Sequence, residues 1–392
     1  MKSEALEYAL FSRKEMARRY ARARELMGQR EIDALLITGE ENFQYFAGTA
    51  VSVALHYSLT RPSVFILPLN GEPIVVTQKR DNLTLGSYVS DIRDYSDLFG
   101  FPHNLVADAL QDTGLKHNRV GVELGQEQRM GMPVGAYFDL VTNLPEVTFV
   151  DAADVIIKLR MVKSGEELVY MKEAADITGR ARQRLFDQVV PGMTEREVAR
   201  LMRRLILEEG GDRTAFVILQ LDRPGAGNPF HYDRPLEKGC VLAVDTGACV
   251  GMYTIDYPRM AVLGKATDEQ KRLHSAVLEV NAKMANALRP GVTCAELYRV
   301  GTGAIEEANA RGEGLAPFGS ARMGHGQGML VTEPPSISPD DHTVLEPGVV
   351  LSTEPGVRAG DVQFLWEDVH VVMEEGHEQL TVESSDLREI SS

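Results

Sequence analysis

Hydrophobic positions recur with two different periods over roughly the first 150 residues. Ile32-Asp33-Ala34-Leu35-Leu36-Ile37-Thr38 is a short apolar run closed by Gly39, which predicts a buried strand. Val64–Leu69 and Pro73–Thr77 flank Asn70-Gly71, which predicts a hairpin with a type I′ turn. Arg119–Glu123 and Val147–Val150 predict two further strands. Met16, Tyr20, Ala23 and Met27 instead recur at helical spacing. They follow Ser12, a candidate N-cap with Glu15 at the capping-box position. Asn42–Gly48 predicts a helical turn; Leu105–Asp112 and Met132–Leu144 predict helices. Strands alternating with helices predict an α/β layer domain with a mixed sheet.

The pattern changes after a boundary near Asp151–Ile157, so the chain divides into domains 1–156 and 157–392. Ser164 caps a long amphipathic helix with Glu167 completing a capping box, and Leu168, Met171, Ala175 and Ile177 suit its core side. Pro191-Gly192-Met193-Thr194 opens a helix that runs to about Glu209. Pro290-Gly291-Val292-Thr293 opens another over Cys294–Glu307 in the same way, so this part is built from two similar halves. Val241–Val244 predicts a strand ending in Asp245, followed by a turn at Thr246-Gly247-Ala248 and a strand from Gly251 to Ile255 that leads to Asp256. Val349–Leu351 predicts a strand before Glu354; strands at Val362–Trp366 and Val369–Val372 flank Glu367.

Asp245 and Asp256 on neighbouring antiparallel strands can converge on one point. Two buried carboxylates side by side repel each other and are costly to ionise; a divalent cation between them removes the penalty. Further donors follow: His325 in Gly324-His325-Gly326, Glu354 in Glu354-Pro355-Gly356, and Glu367 in Glu367-Asp368. Taken singly, each aspartate reads as a turn or capping residue, His325 as a turn residue between glycines, and Glu354 as a strand end. Taken together, four carboxylates and one imidazole suit two divalent ions of the Mn, Fe, Co or Zn kind.

This order, with its GHG, EPG and ED contexts, resembles the pita-bread metallohydrolase superfamily of methionine aminopeptidases, prolidases, aminopeptidases P and creatinases. Residues 1–156, including Asn42–Gly48, resemble the creatinase/prolidase-type N-terminal domain, which favours the last three. The LRxxKSxxE pattern over Leu159–Glu167 resembles the helix that opens the pita-bread domain in prolidase-like enzymes. The resemblance implies an N-terminal α/β domain followed by a pseudo-symmetric pita-bread domain, α/β (α+β) in class. It also implies two divalent metal ions on Asp245, Asp256, His325, Glu354 and Glu367, and a homodimer. The implied activity is Xaa-Pro peptidase cleavage of short peptides by a metal-bridging hydroxide. Glu354 would shuttle the proton and His231, in Phe230-His231-Tyr232, would contact the substrate. Creatinases keep the fold without a metal, but their ligand positions are altered; here all five types are retained.

Two positions depart from the prolidase pattern. Thr332 stands where a second histidine is usual, seven residues after His325, and would be a substrate-side hydroxyl without positive charge. Leu365 stands where an arginine is common, two residues before Glu367. The segment from His325 to Pro335 also resembles that of dimethylsulfoniopropionate lyases of this fold. The alternative reading is therefore a metal-dependent lyase or creatinase-like amidase acting on a small molecule. A third class, a metal-free binding or adaptor protein, conflicts with the intact ligand set. Tyr253 reads as core or as support for the ligands, Glu333 as a turn residue or such support, and Arg223 and Arg358 as solvated loop residues.

Composition narrows the partners. Of 392 residues 44% are hydrophobic and 25% charged, enough for two domains with cores. The formal charge of −16 disfavours nucleic acid, whose phosphates need a basic surface. Cys240, Cys249 and Cys294 give no disulfide framework and read as structural thiols. The first residues are charged throughout, unlike a signal peptide, and no apolar stretch reaches the length of a membrane span. A cytoplasmic location, without membrane partners, is the expectation.

Overall fold

Four-residue strands buried along their whole length, such as Ala34–Ile37 and Ile74–Thr77, require cover on both faces, and helices supply it. In this computed structural model residues 6, 8–50, 61–78, 80–221, 233–318, 321–359 and 362–390 are described. The chain divides into two compact units, Met1–Arg160 and Met161–Ser392.

Among the described residues of the first unit six strands stand in the spatial order Asp91–Asp94, Ile74–Thr77, Val64–Pro68, Ala34–Ile37, Arg119–Val122 and Thr148–Asp151. The two pairings of Val64–Pro68 with its neighbours are antiparallel and the other three parallel, giving the mixed sheet expected. Helices His103–Asp112 and Val134–Asn143 bury Val106, Leu110 and Leu140 in one core with Leu36, Ile66 and Val122. Helix Arg13–Gln29 starts where Ser12 accepts a hydrogen bond from the Glu15 N–H, and it buries Met16, Ala23 and Met27. The Glu15 carboxylate is held by Arg18 and Arg19. The hairpin pairs Val64 with Val76 and Ile66 with Ile74, but its turn is not type I′. That turn requires two positive φ values, and here only Gly71 has one. Pro73 has no N–H to extend the ladder, so the connection is longer than two residues.

Among the described residues the second unit is built from two helix pairs and three sheets. Strands Arg213–Leu221, Val241–Val250, Arg259–Leu263 and Arg388–Ile390 form one sheet, with Tyr253–Thr254 paired to Val241–Val250. Glu333–Ser336, His325–Gly326, Val350–Thr353, Asp368–Val372 and His377–Gln379 form the second, antiparallel throughout; Ala316–Phe318, Gly356–Ala359 and Val362–Leu365 form the third.

The internal repeat is carried by backbone bonds as well as sequence. Thr194 and Thr293 cap helices Glu195–Glu208 and Cys294–Ala310, each closing a full capping box with Glu197 or Glu296. Gly192 and Gly291 both have positive φ and donate to the carbonyls of Leu236 and Leu345. Met193 and Val292 accept from those same two residues. The turn expected at Thr246–Ala248 is absent: the strand runs unbroken to Val250, and the chain reverses at Gly251-Met252, both with positive φ. Paired β hydrogen bonds to Arg213–Leu221 hold Thr246–Ala248 extended.

Candidate metal centre

Asp245 lies within strand Val241–Val250, opposite Ile218. Beyond the reversal the chain runs back along the same strand. The Ile255 N–H donates to the Ala248 carbonyl at 3.2 Å and the Tyr257 N–H to that of Thr246 at 3.4 Å. This crossing needs a glycine: a Cβ on Gly247 would lie 1.5 Å from the Ile255 carbonyl oxygen. Asp256 is thereby laid beside Asp245, and the two carboxyl groups interact directly.

The other half of the unit brings up three more groups. His325 opens a short strand, and its Nδ1 donates to the Gly326 carbonyl at 2.9 Å, because a carbonyl can only accept. That bond fixes the tautomer and leaves Nε2 as a bare lone pair. Nε2 lies 3.8 Å from Asp256 Oδ2, 3.9 Å from Glu354 Oε1 and 4.0 Å from Glu367 Oε1. Glu354 follows strand Val350–Thr353 and Glu367 precedes strand Asp368–Val372, and these strands pair with Thr353 opposite Asp368. Asn281, buried on helix Asp268–Ala287, donates to the carbonyls of both Thr353 and Trp366, the residues just before the two glutamates. Arg259 donates to the Glu367 carbonyl and to Asp368 Oδ1, and stacks on Trp366.

The electrostatics of this cluster are unfavourable for bare carboxylates. Burial pushes Asp245 up to about 6, with the neighbouring Asp256 and Arg182 opposing the rise. Burial pushes Glu354 up to about 7, opposed by the Arg322 guanidinium. Asp256 is raised well above the ordinary carboxylate range by burial and then by Glu367 and Asp245, and Glu367 by burial and then by Glu354 and Asp245. Burial holds His325 neutral, down at about 4. Oδ1 of Asp245 and Oδ1 of Asp256 are buried and make no hydrogen bond. Buried polar atoms normally have partners, so these oxygens call for one of positive charge.

Asp245, Asp256, His325, Glu354 and Glu367 are therefore brought together, and ligand atoms of Asp256, His325 and Glu367 lie within 4.8 Å of one another. Thr332 is half-buried, and its Oγ1 accepts from Arg322 Nη2 at 3.4 Å. Tyr253 is core: its hydroxyl donates to Glu167 at 2.7 Å. Glu333 is no simple turn residue, since it is buried beside Lys163 at 3.6 Å. Arg358 is exposed on strand Gly356–Ala359. His231 and Arg223 lie outside the described residues. Arg322 was not singled out from sequence. It sits three residues before His325, with its Nε 3.5 Å from Glu354 Oε1, and nothing in local pattern distinguishes it from a solvated arginine.

Residues 169–374 match the model of Metallopeptidase family M24. The chain belongs to that family. Residues 19–162 match the Creatinase/Prolidase N-terminal domain, so this family member carries the two-part organisation that the sequence resemblance implied. The Xaa-Pro dipeptidase of Pyrococcus furiosus is 26% identical over 95% of this chain and all of its own length. Among solved structures, an X-Pro aminopeptidase from Thermotoga maritima matches with a TM-score of 0.79 at 26% identity, covering 94% of this chain and 99% of that one. Dipeptidase PepE from Mycobacterium ulcerans matches with a TM-score of 0.79 at 27% identity, covering 97% and 100%. The chain is thus a metallohydrolase of mixed α/β pita-bread fold, and the family implies divalent metal ions. The unpartnered aspartate oxygens, the bare imidazole nitrogen and the raised carboxyl groups fit such ions. No helix among the described residues is long and apolar enough to cross a membrane.

Proposed function

We propose that this chain is a metal-dependent Xaa-Pro peptidase that cleaves the bond before proline in short peptides, with the catalytic machinery in residues 157–392 and residues 1–156 as a separate domain. The observation that carries the reading is the convergence of His325 Nε2 with Asp256, Glu354 and Glu367 at 3.8–4.0 Å. It occurs in a chain whose similarity to an Xaa-Pro dipeptidase runs over 95% of its length. Asp245, Asp256, His325, Glu354 and Glu367 would hold two ions, of Mn, Co, Fe or Zn. Such ions polarise a carbonyl and bring water near neutral pH within reach of ionisation.

The residues divide the remaining work by exposure. Glu367 is nearly fully buried, whereas the Glu354 side chain is 25% exposed and can reach a substrate. Glu354 is therefore the proton carrier of this reading. The Thr332 hydroxyl offers one hydrogen bond to the substrate, and His231 offers a second by family resemblance. A cytoplasmic homodimer is the assembly the same resemblance supports.

The test is turnover of a Xaa-Pro dipeptide panel with added Mn²⁺, with Asp256→Asn as control. Cleavage that vanishes in the variant supports the reading; a protein that binds near two metals per chain yet cleaves no member of the panel sinks it. Thr332, in the place of a second imidazole, favours a second reading as a lyase or amidase of the same fold. Product analysis with small osmolyte or amidino substrates separates the two.

A further inference from the structure

Gln327 follows His325 by two residues and is completely buried. Its carboxamide is spent on two candidate ligands from opposite halves of the unit. The Asp256 N–H donates to Gln327 Oε1 at 2.9 Å, and Gln327 Nε2 donates to the Asp256 carbonyl at 2.7 Å and to Glu367 Oε1 at 3.0 Å. The orientation of a glutamine amide is ordinarily open to exchange of its two ends. Here it is decided by chemistry: an N–H can only donate, so Oε1 must face Asp256 N and the NH₂ group must face Glu367. The next backbone step is a direct bond, from the Thr254 N–H to the Gly328 carbonyl at 2.7 Å. Gln327 thus takes the place of a backbone pairing at the one residue, Asp256, whose carboxylate must turn into the cluster.

The oxygen that Gln327 grips is the one facing the cluster: Glu367 Oε1 lies 4.0 Å from His325 Nε2. We propose that Gln327 is a positioning residue that fixes Asp256 and the Glu367 carboxylate as co-ligands and so sets the affinity and geometry of the divalent-ion site. This rests on the metal-site reading above. A carboxylate gripped by a two-hydrogen donor has one lone pair committed and one free, so its ligand direction is chosen before an ion arrives. Residues that orient metal ligands in this way typically contribute about 10–100-fold in affinity or activity.

The test is titration of chelated, full-length protein with Co²⁺, read by its d–d absorption and by metal analysis. Gln327→Met keeps the length and volume of the side chain without the amide. It is expected to melt, metal-free, near the wild type, to bind Co²⁺ at least about tenfold more weakly, and to give an altered d–d spectrum. Gln327→Asn keeps an amide withdrawn by one methylene; it is expected to lie between the two and decides the matter if Gln327→Met does not fold. A variant with wild-type affinity and an unchanged spectrum overturns the assignment. Failure of the wild type itself to bind Co²⁺ overturns the metal-site reading, and this assignment with it, and is told apart by the first titration.

Discussion

Converting Asp256 to asparagine replaces a buried carboxyl group whose ionisation its surroundings oppose, and one candidate ligand oxygen, by a neutral amide of the same shape. Two opposite effects follow. Divalent-ion affinity is expected to fall by more than the roughly 10–100-fold produced by losing a residue that only supports a ligand. The melting temperature of the chelated protein is expected to rise, because burial, Glu367 and Asp245 all oppose an ionisable carboxyl group at this position and an amide has none. Calorimetry with and without chelator reads both; a variant that melts below wild type when metal-free contradicts the charge argument. Arg322 works in the reverse sense, lowering the carboxyl group of Glu354. Arg322→Met is expected to raise the Glu354 pKa in the metal-free protein and to lower kcat/KM by about tenfold or more, or about 1.4 kcal/mol. An unchanged pH profile and unchanged kcat/KM would make Arg322 a surface residue only. The difference in legibility between these two residues is physical. Asp256 stands in a motif whose neighbours declare its chemistry. Arg322 acquires its role only because Glu354, 32 positions on, folds back to within 3.5 Å of it.

At the scale of elements, caps were readable and one reversal was not. Ser164, Thr194 and Thr293 each start the helix expected of them, because a capping box satisfies local N–H groups whatever the rest of the chain does. Thr194→Ala and Thr293→Ala are each expected to cost about 1 kcal/mol by denaturant unfolding. The two losses should add, since the caps belong to separate repeats. The reversal near Asp245 was misread because Thr246-Gly247-Ala248 is small and turn-competent. In the fold Gly247 is needed for clearance instead: the return chain passes directly over it. Gly247→Ala is therefore expected to destabilise the protein by more than about 3 kcal/mol, beyond ordinary overpacking, and to abolish metal binding. Near-wild-type stability of this variant would mean that the crossing of Ile255 over Gly247 is not held in solution.

The whole molecule answers to pH through its buried groups, and the sign depends on metal. The carboxyl groups of Asp245, Asp256, Glu354 and Glu367 are raised in the fold, so they bind protons that the unfolded chain has released. Their contribution is full below the ordinary carboxylate pKa and is lost as pH rises through the folded values, about 6 for Asp245 and about 7 for Glu354. Burial depresses His370 to about 3 and His325 to about 4, which works oppositely: that stability is present above about 6.5 and is lost as pH falls. Between about pH 7.5 and 8.5 the two imidazoles are essentially neutral in both states, and the carboxyl groups that are raised well above the usual range, Asp256 and Glu367, dominate. Chelated protein is expected to lose melting temperature across that window, and metal-loaded protein to hold it. A flat profile in chelator would mean that the cluster opens to water when metal-free.

The sequence by itself determined the types and order of the candidate ligands, the caps, the repeated Pro-Gly-x-Thr device and the two-part organisation. Each of these rests on neighbours within a few residues or on a motif whose chemistry is complete where it stands. Tertiary structure decided which atoms meet. It laid Ile255 over Gly247 and so Asp256 beside Asp245, fixed the His325 tautomer through Gly326, and brought Gln327 between Asp256 and Glu367. Those relations join residues up to 71 positions apart, and they exist because sheets from two halves of the unit place their ends around one buried cluster of charge that neither half contains alone.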